Sequence, residues 1–302
     1  MKAIILCGGS GSRLAPLTIA SNKQLLPVYD KPVIYYPLST ALLAGITEIV
    51  IISTPHDLPK IEQLLGDGSS FGVSLQYVVQ DQPRGIPEAF TLAKRKAKNF
   101  VKQDDVMLLL GDNLFFGNDL TRRLVFASNR LSSNGGAEIF CYHVPDPERF
   151  GVAELNRKDQ VISIEEKPKF PASNYAITGL YMFDNNVYEI AESLKPSGRG
   201  ELEIVDVMKA YMEAGTLRAN TLRKGFFWKD VGTADALYQA STYVKTIQDS
   251  QGVKLSCPEE IAYRQGFIDD IDLQRLIERH KNSEYGTYLK QVLAEGPPLV
   301  CS

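Results

Sequence analysis

Three glycines, Gly8, Gly9 and Gly11, follow the apolar run Lys2-Ala3-Ile4-Ile5-Leu6, and two cations, Arg13 and Lys23, come after them. Glycine lets neighbouring backbone N–H groups converge on one point and lets an anion approach with no Cβ in the way. Ser10 and Ser12 add hydroxyl donors. Arg13 adds a planar, permanently charged fork suited to phosphate oxygens. The set forms a candidate cradle for a nucleoside triphosphate. Two common phosphate motifs are absent: the dinucleotide fingerprint requires a glycine where Leu14 stands, and the P-loop requires a Gly-Lys pair, which the chain lacks. Spacing alone leaves open both a phosphate site and a plain glycine-rich turn between a strand and a helix.

Further along, Asp112 ends the run Met107-Leu108-Leu109-Leu110-Gly111. A carboxylate at a strand end beside a glycine loop suits a divalent cation such as Mg²⁺, which takes one or two carboxylates plus substrate phosphates. The same residue also suits the start of a turn. Asp230, in Phe227-Trp228-Lys229-Asp230-Val231-Gly232-Thr233, reads as a second such carboxylate or as a helix cap. Gln80 follows an apolar strand, and its carboxamide matches the O and N–H of a pyrimidine edge; Gly85 would let a base approach the backbone. Glu165-Glu166-Lys167-Pro168 by itself reads as a charged turn. Gly68-Ser69-Ser70-Phe71-Gly72 has the letters of a nucleophile elbow, but a helix precedes it and a strand follows, the reverse of what that motif requires.

The stretches GGSGSRL and KQLLPVYDKPVIYYPLST resemble the sugar-1-phosphate nucleotidylyltransferases, and within them the glucose-1-phosphate thymidylyltransferases. The likeness runs from Lys2 to the CPEEIAYR stretch ending at Arg264. Ser12 stands where the family has threonine, Cys7 where it has alanine, Val231 where it has threonine, Phe150 where it has tyrosine, and Arg84 where it often has aspartate. The resemblance implies transfer of a thymidylyl group from dTTP to α-D-glucose 1-phosphate, as in dTDP-rhamnose biosynthesis. Arg13 and Lys23 would be catalytic. Leu6, Gly8, Gly9, Gly11, Ser12, Arg13, Gln80, Gly85 and Asp112 would bind nucleotide, and Asp112 with Asp230 would hold Mg²⁺. On the sugar side it implies Gly151, Glu166, Lys167, Thr178, Tyr181 and Arg199. It further implies a homotetramer inhibited by a dTDP-sugar at a second site around Glu260, Ile261 and Arg264, although Thr121-Arg122 and Arg223-Lys224 depart from the family there. A UTP-dependent or other hexose-1-phosphate enzyme, and a silent sugar-nucleotide sensor, are the alternatives.

These residues need a scaffold. Through the first half the pattern alternates strands (Glu48–Thr54, Leu75–Val79, Asp105–Leu110, Ala137–Val144) with helices (Val33–Ala44, Asp57–Leu65, Ile86–Phe100, Asn118–Leu131), which predicts a parallel sheet covered by helices. Ligands of such sheets sit beyond the carboxyl ends of the strands, so Gly8–Arg13, Gln80–Gly85 and Gly111–Asn113 should share one rim. The whole is predicted as an α/β fold: a Rossmann-like, mostly parallel mixed sheet flanked by helices. Residues 1–145 form the nucleotide-binding half, 146–248 a β-rich sugar-phosphate-binding half of the same core, and 249–302 a helical C-terminal segment with Leu273, Leu276 and Ile277 on one face.

In 302 residues with net charge −3 there is no basic field to attract nucleic acid. Cys7, Cys141, Cys257 and Cys301 are scattered and read as free thiols, and the three histidines show no zinc spacing. The apolar start is too short for a signal peptide and no run is long enough to span a bilayer, so the expectation is a cytoplasmic protein.

Overall fold

The computed structural model describes residues 1–9 and 11–297; Ser10 and Cys301 lie outside the described residues. In chain order the first half carries β1 (Lys2–Cys7), the hairpin β2 (Pro27–Val28) and β3 (Lys31–Pro32), α1 (Tyr35–Leu43), β4 (Glu48–Ser53), α2 (Leu58–Leu65), β5 (Ser74–Val79), α3 (Glu88–Lys96), β6 (Val106–Leu110), β7 (Asn113–Phe116), α4 (Leu120–Asn134) and β8 (Ala137–His143). The second half follows with β9 (Gly151–Leu155), β10 (Val161–Glu166), β11 (Tyr175–Phe183), α5 (Val187–Ser193), α6 (Ile204–Glu213), β12 (Leu217–Leu222), β13 (Phe227–Asp230) and α7 (Ala234–Gln251). Helices α8 (Pro258–Arg264), α9 (Asp270–Arg279) and α10 (Glu284–Glu295) come after it.

Strands β5, β4, β1 and β6 lie side by side and parallel, with Ile49 opposite Leu75, Ala3 opposite Ile49, and Leu6 opposite Leu110. β4 is β-branched and buried on both faces, as a central parallel strand requires. Alternation along β1 feeds two cores. Ala3, Ile5 and Cys7 face α1, α2, α4 and the C-terminal helices, while Ile4 faces α3, α5 and α6. α7 packs separately over the β2–β3 hairpin, with Val28, Val33, Val231, Ala240 and Val244 between them.

Two expectations need correction. β8 does not extend the parallel block. β11 intervenes, antiparallel to β6 on one side (Leu180 opposite Leu109) and to β8 on the other (Tyr181 opposite Ile139). Its nearly continuous burial demands neighbours on both edges and cover on both faces, which chain order does not reveal. The helix read as Ile86–Phe100 spans only Glu88–Lys96, ending where Ala97 turns extended. The C-terminal segment is helical as expected, in three helices broken at Gly266, which has φ +73°, and after Arg279; Leu273, Leu276 and Ile277 are buried as expected. Among the described residues no helix is long and apolar enough to cross a membrane. Cys7, Cys141 and Cys257 are buried free thiols, and Ser69–Phe71 is a single 3₁₀ turn between α2 and β5 rather than an elbow.

Candidate active site

Because β1, β5 and β6 run the same way, the loops that leave them meet on one rim. They form one wall of a cleft of about 530 Å³, which β9, β10, β11 and the 199–205 segment close from the other side. That volume suits a small-molecule ligand.

At one end, Leu6, Gly8, Gly9 and Arg13 line the cleft. Gly11 and Ser12, expected among the nucleotide contacts, are not part of its wall. Gly11 sits at φ +61° and its carbonyl accepts from Thr18 Oγ1 at 2.9 Å, so it shapes the turn, while Ser12 is exposed beside it. Arg13 lies across Gly232: a Cβ there would come within 2.7 Å of its Nη2 and 3.3 Å of Asp230 Oδ2. Lys23 is positioned by Asn22, whose Oδ1 accepts from Gln24 N and whose Nδ2 donates to Asp57. The Lys23 Nζ donates to Asp112 Oδ2. Burial opposes the ammonium, but Asp112 outweighs it and Lys23 is held above its ordinary range. For Asp112, burial works against ionisation too, and the Lys23 charge with its hydrogen bond carries it below the usual carboxylate range.

What brings the second carboxylate in is a ribbon that periodicity does not reveal. The stretch after Gly111, read as a turn, is β7, antiparallel to β13 with Asp230 opposite Asn113. Val231 N donates to Asp112 O at 2.9 Å. Asn113 is the knot: its Oδ1 accepts from Trp228 Nε1 at 2.7 Å and from Gly179 N at 3.0 Å, and its Nδ2 donates to Asp112 Oδ1 at 3.2 Å. Burial and then the neighbouring Asp112 push Asp230 up to about 6. Two carboxylates that repel each other, Asp112 buried and Asp230 half-buried with its pKa already raised, form a hard-oxygen pair that a divalent cation would relieve. Among the described residues no cluster of three or more His, Cys, Asp or Glu exists that could hold a metal, so the protein supplies at most these two ligands, as Mg²⁺ sites completed by substrate phosphates do.

Gln80, expected to meet a base, lines the cleft beside Gly8. It is 2% exposed, and its Nε2 donates to Glu88 Oε2 at 2.8 Å. The role given to Gly85 changes. It does line the cleft, but a Cβ there would meet Leu202 O at 2.1 Å, so the glycine admits the Leu202 backbone rather than a base. Leu202 N donates to Arg84 O at 2.8 Å, tying the loop after β5 to the second half.

The far end holds Gly151, Glu166, Lys167, Tyr181 and Arg199. Arg199 Nη2 donates to Glu166 Oε1 at 3.2 Å and, with Nε, grips Glu203 at 2.6 and 3.0 Å. Lys167 Nζ lies 3.5 Å from Glu166 Oε1, on a backbone with φ +45°, a sparsely populated region for a side-chain-bearing residue. Thr178 does not belong to the wall: it is fully buried and donates to Phe140 O at 2.9 Å. Arg149, Glu203 and Trp228, which the residue patterns did not single out, do line it.

Glu260, Ile261 and Arg264 lie away from the cleft on α8. Arg264 Nε donates to Glu260 at 2.8 Å and Nη2 to Glu295 at 2.7 Å, while Tyr288 OH donates to Glu260 at 2.6 Å. Ile261 packs against the larger core. Of the departing residues, Arg122 pairs with Asp119 at 2.7 Å and Arg223 with Asp159 at 2.7 Å.

A sequence model of a family described as nucleotidyl transferase matches residues 2–247. A glucose-1-phosphate thymidylyltransferase of Neisseria meningitidis is 47% identical over 293 residues, spanning 97% of this chain and 99% of that one. One of Mycolicibacterium smegmatis is 48% identical with the same coverage. A solved structure from Bacillus anthracis, described as a glucose-1-phosphate thymidylyltransferase in complex with a sucrose, is similar with a TM-score of 0.73 and 40% identity, covering 80% of this chain and 94% of that one. UDP-glucose pyrophosphorylase complexed with UDP-glucose gives a TM-score of 0.69 at 21% identity, covering 82% and 98%; at that identity the likeness is one of fold.

Proposed function

The chain belongs to the nucleotidyl transferase family and, within it, to the glucose-1-phosphate thymidylyltransferases, and from that premise we propose that it transfers a thymidylyl group from dTTP to α-D-glucose 1-phosphate, giving dTDP-glucose and pyrophosphate. The observation that carries the reading is one continuous cleft with cations at both ends: Arg13 and Lys23 beside the glycine turn, Lys167 and Arg199 beside Glu166.

Each group then has work to do. Arg13 and Lys23 offset the triphosphate charge and the charge developing on departing pyrophosphate. Glu166 accepts hydrogen bonds from sugar hydroxyls. Lys167 and Arg199 hold the sugar phosphate against its repulsion by the nucleotide, so that its oxygen attacks the α-phosphorus in line. Holding both reactants in one frame accounts for much of the rate, with no covalent enzyme intermediate. Asp112 and Asp230 would hold Mg²⁺, which supplies charge neutralisation at the phosphates when bound. The finer proposals are a homotetramer and an inhibitory dTDP-sugar site at Glu260, Ile261 and Arg264. There the Arg264 guanidinium would exchange Glu295 for a diphosphate.

A pyrophosphate-release assay across dTTP, UTP and other nucleotides with several hexose 1-phosphates tests this. Release is expected to need both partners and to be fastest with dTTP and glucose 1-phosphate. No release with any pair would overturn the assignment.

A further inference from the structure

Lys23 owes its place to a short 3₁₀ turn, Lys23–Leu25, which the buried Asn22 opens. Residues 15–21, which lead into the turn, are mostly exposed and hold it weakly. On the far side the β2–β3 hairpin secures it, with Ile34 N donating to Gln24 O at 2.9 Å. The near side depends on the Asn22 side chain. Its Oδ1 accepts from Gln24 N at 2.8 Å, and its Nδ2 donates at 2.8 Å to Asp57 Oδ2, in the turn after β4 and 35 positions along the chain.

Asp57 stands where an aspartate ordinarily caps a helix. It is the residue just before α2, yet among the described residues its carboxylate bonds no amide of that helix's first turn. Both oxygens are turned elsewhere. Oδ2 accepts from Asn22 Nδ2 and from Thr54 Oγ1, the latter at 2.9 Å, and Oδ1 lies 3.0 Å from His56 Nδ1. Burial opposes ionisation of this carboxyl, but the hydrogen bonds it receives, that from Asn22 foremost, hold it below the usual carboxylate range. An ionised carboxylate only accepts. The Asn22 amide is thereby fixed: turned over, its oxygen would face Asp57 Oδ2 and its NH₂ would face the Gln24 N–H, two mismatches at once. The cap that shapes the Lys23 turn thus depends on a carboxylate from outside it.

Resting on the reading that Lys23 meets the triphosphate, we propose that Asp57 is a positioning residue for the transfer reaction: it leaves its own helix uncapped to orient Asn22, and through the turn it aims the Lys23 ammonium at Asp112 and the phosphates. Asp57 itself stands outside the wall of the cleft. A lysine is a point charge on a flexible stem, so what it contributes to a transition state depends on where its backbone is anchored.

The test is a double-mutant cycle on purified, folded variants, read as kcat and as KM for dTTP and for glucose 1-phosphate in pyrophosphate release. Asp57→Ala should lower kcat about tenfold with little change in either KM, as expected when a group acting in the transition state is misplaced. In the Lys23→Ala background the same substitution should cost nothing further, because the group it aims is gone. Asp57→Asn keeps an oxygen to accept from Asn22 and Thr54 and should recover most of the loss. With Lys23→Ala slow, an unchanged kcat in Asp57→Ala overturns the Asp57 role alone. So does no recovery in Asp57→Asn, or an equal loss in both backgrounds, which is what a general loosening of the fold would give. A fast Lys23→Ala removes Lys23 from the chemistry and the proposal with it. Should Asp57→Ala not fold, Asn22→Asp takes its place: it keeps an acceptor for Gln24 N but sets a second carboxylate against Asp57, so kcat should fall and return when Asp57→Asn is added. An unchanged kcat in Asn22→Asp overturns the proposal.

Discussion

Replacing Asp230 by asparagine should abolish turnover and yet stabilise the ligand-free protein. Burial and the neighbouring Asp112 raise the Asp230 carboxyl from 3.8 to about 6. At about 1.4 kcal/mol per pH unit, that rise corresponds to about 3 kcal/mol. The sign follows from proton counting. Below 3.8 both folded and unfolded chains hold the proton and there is no penalty. Between 3.8 and 6 the unfolded chain releases it first, so stability falls as pH rises, and above 6 the whole penalty is in place. Asparagine carries none of it. Urea unfolding at pH 8 should therefore show Asp230→Asn more stable than wild type by about 3 kcal/mol, with the gap reduced to about half at pH 5. Adding Mg²⁺ with dTTP should stabilise wild type and leave the variant nearly unmoved, because only wild type keeps both carboxylates for the ion. A variant less stable than wild type at pH 8, or a gap that does not shrink on acidification, would refute the idea of two carboxylates held together for a cation.

Three further outcomes are expected. Lys23→Ala should lose turnover by about 10²- to 10³-fold, the usual scale for one electrostatic donor in a transition state; near-wild-type kcat in a purified, folded variant would remove Lys23 from the chemistry. Glu166→Ala should raise the KM for glucose 1-phosphate with little change for dTTP, and steady-state kinetics showing the opposite split would assign Glu166 to the wrong substrate. Arg264→Ala should relieve inhibition by dTDP-rhamnose while leaving basal turnover intact, with light scattering reporting an oligomer; purely competitive inhibition that ignores Arg264 would leave the cleft and delete the second site.

How much of this was legible depended on how local each determinant is. Strands such as Glu48–Ser53 announce themselves by β-branched runs, and once they are parallel the three loops after β1, β5 and β6 must share a rim. The β7–β13 pairing was hidden because β7 has only four residues, read as a turn after Gly111, and its partner is distant in the chain. Thr178 was assigned to the wall by resemblance alone, and folding turns its hydroxyl inward to Phe140 O. Gly85 was identified as a close-approach glycine, but sequence does not say what approaches, and it is Leu202. Glu88 drew no notice in the sequence, and only folding shows Gln80 and Arg84 closing on it.

The central claim is that both substrates share one cleft and react directly. It is tested by following labelled pyrophosphate into dTTP. With enzyme, dTTP, Mg²⁺ and labelled pyrophosphate alone, no label should enter dTTP; once glucose 1-phosphate is added and dTDP-glucose forms, reversal should carry the label in. Exchange in the absence of sugar phosphate would mean that a nucleotidyl-enzyme forms first, and would contradict direct attack.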